Sequence, residues 1–490
     1  MKLRILALIM ILSVIVGCRK DDGISVNLEN EVNEFIWFAM RDFYYWVDEV
    51  EDLSNEEYPT YNALYTFLNE YSDPEVLFDD LLVEQDRFSW IVDDFDELEA
   101  TFQGVSKSFG YDLGLLRTQS GSDDLIGYIK YIVPGGPAEG AGLKRGDLFT
   151  HVNGTKLDIN NYISILFESE SYTITLADIE GSTISQTDEQ VTLTAIQLVE
   201  NPILKSDVLD TEGQKVAYLM YNQFINNNDY HEQLNNVFGE FKAAGVSDLV
   251  LDLRYNGGGS LTTSRILASM IYGAATENDL LGTIVYNQTL ANAGLNADLT
   301  FLEEVPVLDD NVQTSSYPMN RLDVNRVFIL TSGSSASASE FVIAGLLPYM
   351  DVTLIGTTTV GKNVGSTTLY DSEDYRKSGS LNPNHKYAIQ PIISQLANSE
   401  GFTDYINGLE PNIVIDEKNF LGDFMPLGDP SEPLLAEALA IISGVARINR
   451  VTDSRMEVFS HRSPMSDIKQ TILIDHEIPQ IVRENIFLAE

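Results

Sequence analysis

Residues 249–259 read Leu-Val-Leu-Asp-Leu-Arg-Tyr-Asn-Gly-Gly-Gly. A short apolar run of this kind suits a strand buried on both faces. The three glycines after it let the backbone take positive φ or pass close to a ligand. Working outward, Val216–Tyr221 reads as a strand and His231–Ala244 as a helix. Val327–Thr331 and Val352–Ile355 read as two more buried strands, separated by a helix-length segment. Apolar strands alternating with helices imply a sheet covered by helices. Residues 199–445 are therefore expected to form an α/β core.

Two further strand ends in this core carry chemistry. Thr331-Ser-Gly-Ser-Ser-Ala-Ser-Ala-Ser-Glu340 follows a strand and precedes the apolar run Phe341–Leu347. A serine at such a strand-to-helix turn sits at the positive end of a helix dipole, and the next backbone N–H can donate to an oxyanion. The same five serines also suit a polar loop with an N-cap. Gly356-Thr-Thr-Thr-Val-Gly-Lys362-Asn-Val-Gly-Ser366 reads G-x-x-x-x-G-K after a strand. A phosphate-binding loop needs Ser or Thr after the Lys and a helix start. Asn363 and Val364-Gly365 supply neither, so a nucleotide site is not expected.

Upstream, the chain changes character twice. Residues 29–98 read as an N-terminal helical domain, with Ile36, Met40, Phe43 and Val47 at helical spacing and aromatics around the same cylinder. That face suits a buried helix, with an aromatic ligand cleft as the sharper alternative. Residues 99–198 are β-rich. Tyr128–Val133 runs into Pro134-Gly-Gly-Pro137, a short small-residue helix, Lys144-Arg-Gly-Asp147, the strand Leu148–Val152 and an Asn153-Gly154 turn. This order resembles a PDZ domain. The resemblance implies that Phe109, Gly110, Leu113 and Gly114 receive a peptide as an added strand.

Composition narrows the function classes. The 490 residues carry 30 Lys+Arg against 74 Asp+Glu, a formal charge of −44. Sequence-independent nucleic-acid binding, which needs cations to displace counterions, is not expected. One cysteine excludes an intramolecular disulfide and a multi-cysteine zinc site, and five histidines make a His-rich metal centre unexpected. The chain opens Met-Lys-Leu-Arg and an apolar run Ile5–Val16, long enough for a secretory leader and too short to span a bilayer. Ile15-Val-Gly-Cys18 resembles the bacterial lipobox. The expectation is a leader over 1–17, acylation at Cys18, a polar tether over 18–28 and attachment to the cell envelope, with the outer membrane or its surface as the expected site. No role is assigned to 446–490.

Together these segments resemble the S41 peptidases, the C-terminal processing or tail-specific proteases. The resemblance rests on the PDZ-like insert, "DLRYNGGG", "SASASE", the "GK" loop, "NGLEPNIVI" and the closing "LGDPSEPLLAEAL". It implies a multi-domain α/β protein with a ClpP/crotonase-like core. It also implies Ser337 as nucleophile and Lys362, 25 residues later, as general base. The oxyanion donors would be the N–H groups of Ala338 and of a glycine in the first segment, Gly258 favoured over Gly259. Many members carry a Gln four residues after the lysine; here Ser366 stands there, and an orienting role for it is open.

The chemistry of a Ser–Lys pair is self-contained. A serine hydroxyl needs a base as it attacks. No histidine lies beside these motifs, and His231-Glu-Gln-Leu-Asn235 misses the zinc motif H-E-x-x-H at its last position. Lysine acts as a base only when neutral, which asks burial to lower its pKa by about 3 units. Residues 357–364 contain no other charge than Lys362. The expected function is a lipid-anchored serine endopeptidase acting on extended polypeptides, without metal or organic cofactor. Its PDZ-like domain would recruit a peptide, such as a free C-terminus, or gate the site. The alternatives are a catalytically inactive peptide-binding lipoprotein and a nutrient- or glycan-handling surface lipoprotein.

Overall fold

The computed structural model describes residues 25–180, 183–309, 311–445, 457–459 and 472–475. The expected leader, Cys18 and the start of the tether lie outside the described residues. Among the described residues no helix is long and apolar enough to cross a membrane.

Helix α1 (Glu31–Phe43) starts where the Asn30 side chain accepts from Val32 N–H. Phe35, Ile36, Trp37, Ala39 and Met40 on it are fully buried, and the Trp37 indole donates to Asp52 O at 2.6 Å. This aromatic cylinder is core rather than a ligand cleft. Pro74 opens the next described helix but one, Pro74–Asp80, behind an Asp73 cap. The helical reading fails at Trp90–Val92, which is a strand paired with Ala388–Gln390. A partner nearly 300 residues away overrides local helical spacing.

The inserted sheet is antiparallel throughout: β1 (Tyr111–Arg117), β2 (Leu125–Ile132), β3 (Leu148–Val152), β4 (Ser171–Glu180) and β5 (Thr183–Thr194), in that order. The α/β core follows. A hairpin of β6 (Ile203–Thr211) and β7 (Gln214–Tyr221) leads to α2 (Asn228–Ala244), β8 (Asp248–Asp252), β9 (Gly259–Ser260), α3 (Leu261–Ile271) and β10 (Leu280–Tyr286). Next come β11 (Arg326–Thr331), α4 (Ala338–Leu346), β12 (Asp351–Gly356), β13 (Val364–Ser366), β14 (Ile392–Asn398), β15 (Ile413–Val414) and α5 (Pro433–Ser443).

The central sheet runs β6–β7–β8–β11–β12–β15, parallel from β7 onward. Period-two alternation sorts its side chains. Leu249, Leu251, Val327 and Ile329 join the cluster that contains α1, α2, α3 and α4. Val250, Phe328 and Leu330 face the opposite way, against Leu434, Leu435 and Ala438 of α5. The N-terminal helices thus share the main core of the α/β unit instead of packing apart from it. Registers Asp252↔Leu330 and Thr331↔Gly356 bring the C-terminal ends of β8, β11 and β12 side by side. Ligands bind at that end of open parallel sheets. The three motif-bearing loops therefore meet there.

Candidate active site

The serine-rich loop is stitched onto the glycine loop. Ser335 Oγ donates to Leu253 O at 2.8 Å, Ser339 Oγ to Asn256 O at 2.9 Å, and Ser332 Oγ to Arg254 O. These serines are spent on backbone carbonyls. Ser337 is different. Its side chain is fully buried, and its Oγ has no hydrogen-bond partner among the described residues. Its backbone sits at φ 65°, ψ −114°, a conformation that costs a non-glycine residue about 1–3 kcal/mol and marks functional turns. Helix α4 begins at the next residue, so Ala338 N–H belongs to the unsatisfied first turn.

Glu340 holds this turn to the lysine loop. The fully buried carboxylate accepts Ser337 N–H at 2.7 Å and Lys362 N–H at 2.8 Å on one oxygen, Oε2. Oε1 accepts Gly361 N–H at 2.7 Å and the Thr359 hydroxyl at 2.5 Å. Sharing one acceptor atom fixes the backbones of Ser337 and Lys362 within two hydrogen-bond lengths of each other. Burial pushes the Glu340 carboxyl above its ordinary range, against the four donors that favour its charged form. Ser337-Ala-Ser-Glu340 has the S-x-x-E spacing of a capping box. That spacing was the available signal for Glu340, which sequence reasoning left without a role.

Lys362 is 1% exposed, with its Nζ 4.9 Å from the centre of the Phe88 ring. Phe88 and Arg87 come from the segment after the N-terminal helices. Arg87 Nη2 donates to Gly361 O and Ile406 O at 3.2 and 3.0 Å. Gly361 is obligatory: at φ 90° a Cβ would lie 2.2 Å from Ile406 O. A strand, Val364–Ser366, follows Lys362 rather than a helix. Ser366 is fully buried, and its Oγ accepts from Gln390 Nε2 at 3.3 Å. Gln390 is 24 residues further on, so no local motif announces it.

One expected donor is otherwise engaged. Gly258 N–H donates to Asn256 Oδ1 at 2.8 Å. In this structure an Asx turn, in which a side-chain oxygen captures the N–H two residues on, takes that donor. Gly259 cannot carry a side chain, since at φ 126° a Cβ would lie 2.1 Å from Phe224 O.

Behind the glycine loop lies a buried ionic network. Arg254, 1% exposed, donates to Asp252 (2.9 Å twice), Glu432 (2.6 and 3.0 Å) and Glu417 (3.4 Å). Arg145, from the inserted PDZ-like unit, reaches the same Glu417 at 2.9 Å and the hydroxyl of Tyr255. The two guanidinium groups pull Glu417 down to about 2 and hold Glu432 below its ordinary value, overcoming burial.

The peptide-receiving residues expected on the PDZ-like sheet are partly committed. The Phe109 ring lies 4.1 Å from that of Tyr172, and Phe109 O accepts from Ala138 N–H at 3.0 Å. Gly110 N–H donates to Ser108 Oγ, and Gly114 leaves room for the Tyr128 ring. Leu113 lies on β1, half-buried. Of the histidines, His231 is buried, with Nε2 2.8 Å from Thr263 Oγ1, and burial lowers it to about 4. Among the described residues no group of three or more metal-ligating side chains occurs.

Comparison with known proteins matches these units one by one. Residues 215–413 match the peptidase family S41 model, 31–90 the peptidase S41 N-terminal domain and 128–194 a PDZ domain. A chloroplastic C-terminal processing peptidase of Tetradesmus obliquus is 25% identical over 354 residues, 70% of this chain and 66% of that protein. A Staphylococcus aureus protein described as a CtpA-like serine protease is 25% identical over 321 residues, 65% of this chain and 55% of that one. The chain thus spans between about half and two thirds of these curated relatives. A crystal structure from Bacteroides fragilis, ascribed to an S41 protease, superposes with a TM-score of 0.64 at 28% identity, over 84% of this chain and 97% of that one. Strained serine turn, lysine loop and glycine loop all fall inside the stretch matched by the core model, and the chain belongs to peptidase family S41.

Proposed function

We propose that the chain is a serine endopeptidase in which Ser337 is the nucleophile and Lys362 the general base. The observation that carries this reading is the shared Glu340 oxygen, which ties the backbone of a buried, unpartnered hydroxyl to that of a buried lysine. A polypeptide binds extended along the C-terminal ends of β8, β11 and β12. Ser337 Oγ attacks a peptide carbonyl as its proton passes to the Lys362 amine. Burial supports this role, because it removes the water that keeps a lysine charged. Ala338 N–H stabilises the oxyanion, joined by Gly258 N–H once Asn256 releases it. Lys362 then protonates the leaving amine, and water hydrolyses the acyl-enzyme. No step calls for a metal or organic cofactor.

The PDZ-like unit gates this site. Arg145 joins that unit to Glu417 and, through it, to Arg254 at the root of the glycine loop. A peptide that shifts the inserted sheet would move Arg145 and, with it, the loop that bears Gly258. Acylation of Cys18 would tether the enzyme to the bacterial envelope. The test is hydrolysis of an unfolded polypeptide by the full chain, beside Ser337→Ala and Lys362→Ala. Cleavage by the native chain alone supports the reading; equal cleavage by all three removes the dyad. The engaged Gly258 N–H favours a second reading, an inactive peptide-binding lipoprotein, which predicts no cleavage by any of them.

A further inference from the structure

Two short stretches beyond α5 return to the body of the protein, and both return as added strands. The first, β16 (Glu457–Val458), pairs antiparallel with β1 in the register Glu457↔Arg117 and Val458↔Leu116. Phe459 N–H continues the ladder to Leu115 O at 3.1 Å. The Phe459 ring meets Tyr162 edge-on and lies 5.1 Å from the Arg117 guanidinium. This is the outer edge of the PDZ-like sheet, where an extended peptide adds as a strand.

The second stretch lies between the strands that follow the glycine loop and the lysine loop. Strand β17 (Ile472–Leu473) runs parallel between β9 and β13, with Gly259↔Ile472, Ser260↔Leu473 and Ser366↔Leu473 as partners. Strand β9 starts one residue after Gly258, and β13 starts two residues after Lys362. The inserted strand therefore separates the continuation of the oxyanion loop from the continuation of the lysine loop. Its backbone is held from one side: Ile474 N–H donates to Ser366 O at 2.8 Å, and Thr367 Oγ1 donates to Ile474 O at 3.2 Å. The Ile474 side chain is 2% exposed and fills the space that Gly365 leaves. The Asp475 carboxylate accepts from the Ser260 hydroxyl, from Thr262 Oγ1 at 2.9 Å and from Thr262 N–H at 3.2 Å. Those donors sit in the first turn of α3, whose dipole favours a negative charge.

We propose that two described stretches, residues 457–459 and residues 472–475, act as the chain's own pseudosubstrate: the first occupies the peptide edge of the PDZ-like sheet and the second the substrate strand of the cleft. The proposal rests on the peptidase reading and deepens it. It assigns the substrate class as an extended segment with a branched apolar side chain against Gly365, followed by a carboxylate read by Ser260 and Thr262. It also assigns the resting state, in which a substrate must displace a strand that is already covalently present. A strand carried on the same chain competes intramolecularly, at an effective concentration that a free peptide must exceed.

Two measurements on the full chain separate the occupancy from the hydrolysis. The first is made in a Ser337→Ala background and needs no catalysis. A fluorescent synthetic peptide with the sequence of residues 469–478 is titrated into that protein with and without Asp475→Lys. Opening the cleft should tighten peptide binding about tenfold or more, because apparent affinity scales with the fraction of molecules whose site is open. Thr262 should also lose amide-exchange protection. Equal binding by the two proteins overturns the proposal. Asp475→Asn, which keeps the shape and removes the charge, replaces Asp475→Lys if the latter does not fold. The second measurement is turnover of an unfolded polypeptide. Asp475→Lys and Phe459→Pro should each raise kcat/KM with the melting temperature nearly unchanged, and a fall in both with a lowered melting temperature would mark the strands as structural and overturn the proposal. If no variant hydrolyses anything while the peptide still binds more tightly, the peptidase reading fails and the strand stands only as an occupant of a peptide-binding site.

Discussion

Two buried carboxylate sites flank the glycine loop, and they are built on opposite plans. Glu417 and Glu432 face two guanidinium groups, which hold both carboxyls below their ordinary values. Glu340 faces backbone N–H groups and a hydroxyl, and its carboxyl is raised. A cation-paired carboxylate is fixed in charge, and removing its cation leaves a buried charge uncompensated. A carboxylate held by neutral donors adds little net charge stabilisation of its own, yet it fixes how the serine turn and the lysine loop lie against each other. That arrangement holds the serine turn against the lysine loop. The comparison teaches that one site is spent on stability and the other on geometry.

The largest expected effect tests the geometric side. Ser337→Ala should lower kcat by about 10⁴-fold or more, with the urea midpoint unchanged. A comparable loss of stability would place Ser337 on the structural side instead. Next comes the ionic side. Arg254→Met leaves Asp252 and Glu432 buried without their main cation and should cost about 3–5 kcal/mol in urea unfolding. A change below about 1 kcal/mol would mean that Arg145 alone neutralises the cluster.

Glu340→Gln cuts the other way. It should lower kcat about 10²-fold by letting Ser337 and Lys362 drift apart, the scale expected for an ångström of misplacement. Its stability loss should be smaller than that of Arg254→Met. The two sites also carry opposite pH signatures. Glu417 is lowered from its ordinary 4.5 to about 2, so its stabilisation is present above pH 4.5 and is lost as pH falls from there through 2. Glu340 is raised, so its contribution is present below 4.5 and is lost as pH rises through its folded value. Glu340→Gln should therefore flatten the stability profile on the neutral side, and Glu417→Gln on the acid side, as read by unfolding midpoints across pH. The smallest effect is Arg145→Gln, expected to lower kcat/KM about tenfold for long substrates and less for short ones. Equal losses for both would detach the PDZ-like unit from gating.

Much of the core was legible because its signals are local. Strands Val216–Tyr221, Leu249–Leu253, Val327–Thr331 and Val352–Ile355 announced themselves by apolar runs, and the structure moves their limits by at most two residues. Trp90–Val92 was missed because a strand of three residues with a distant partner has no period to read. Glu340 stood in a quoted motif but had no role until its donors were seen. Phe88, Gln390 and the Arg145–Glu417–Arg254 network join residues tens to hundreds of positions apart, and no spacing rule brings them together.

By itself the sequence determined the residue types at the three strand ends, the 25-residue interval from Ser337 to Lys362 and the order of helical, β-rich and α/β segments. These follow from hydrophobic period and turn chemistry, which act over a few residues. Tertiary structure alone decided that one Glu340 oxygen accepts from both Ser337 and Lys362, and that residues 472–473 lie between the strands that follow the glycine and lysine loops. Each is a choice among many chemically equivalent acceptors or strand edges. Such choices are settled by sheet register and by which buried polar groups would otherwise go unsatisfied.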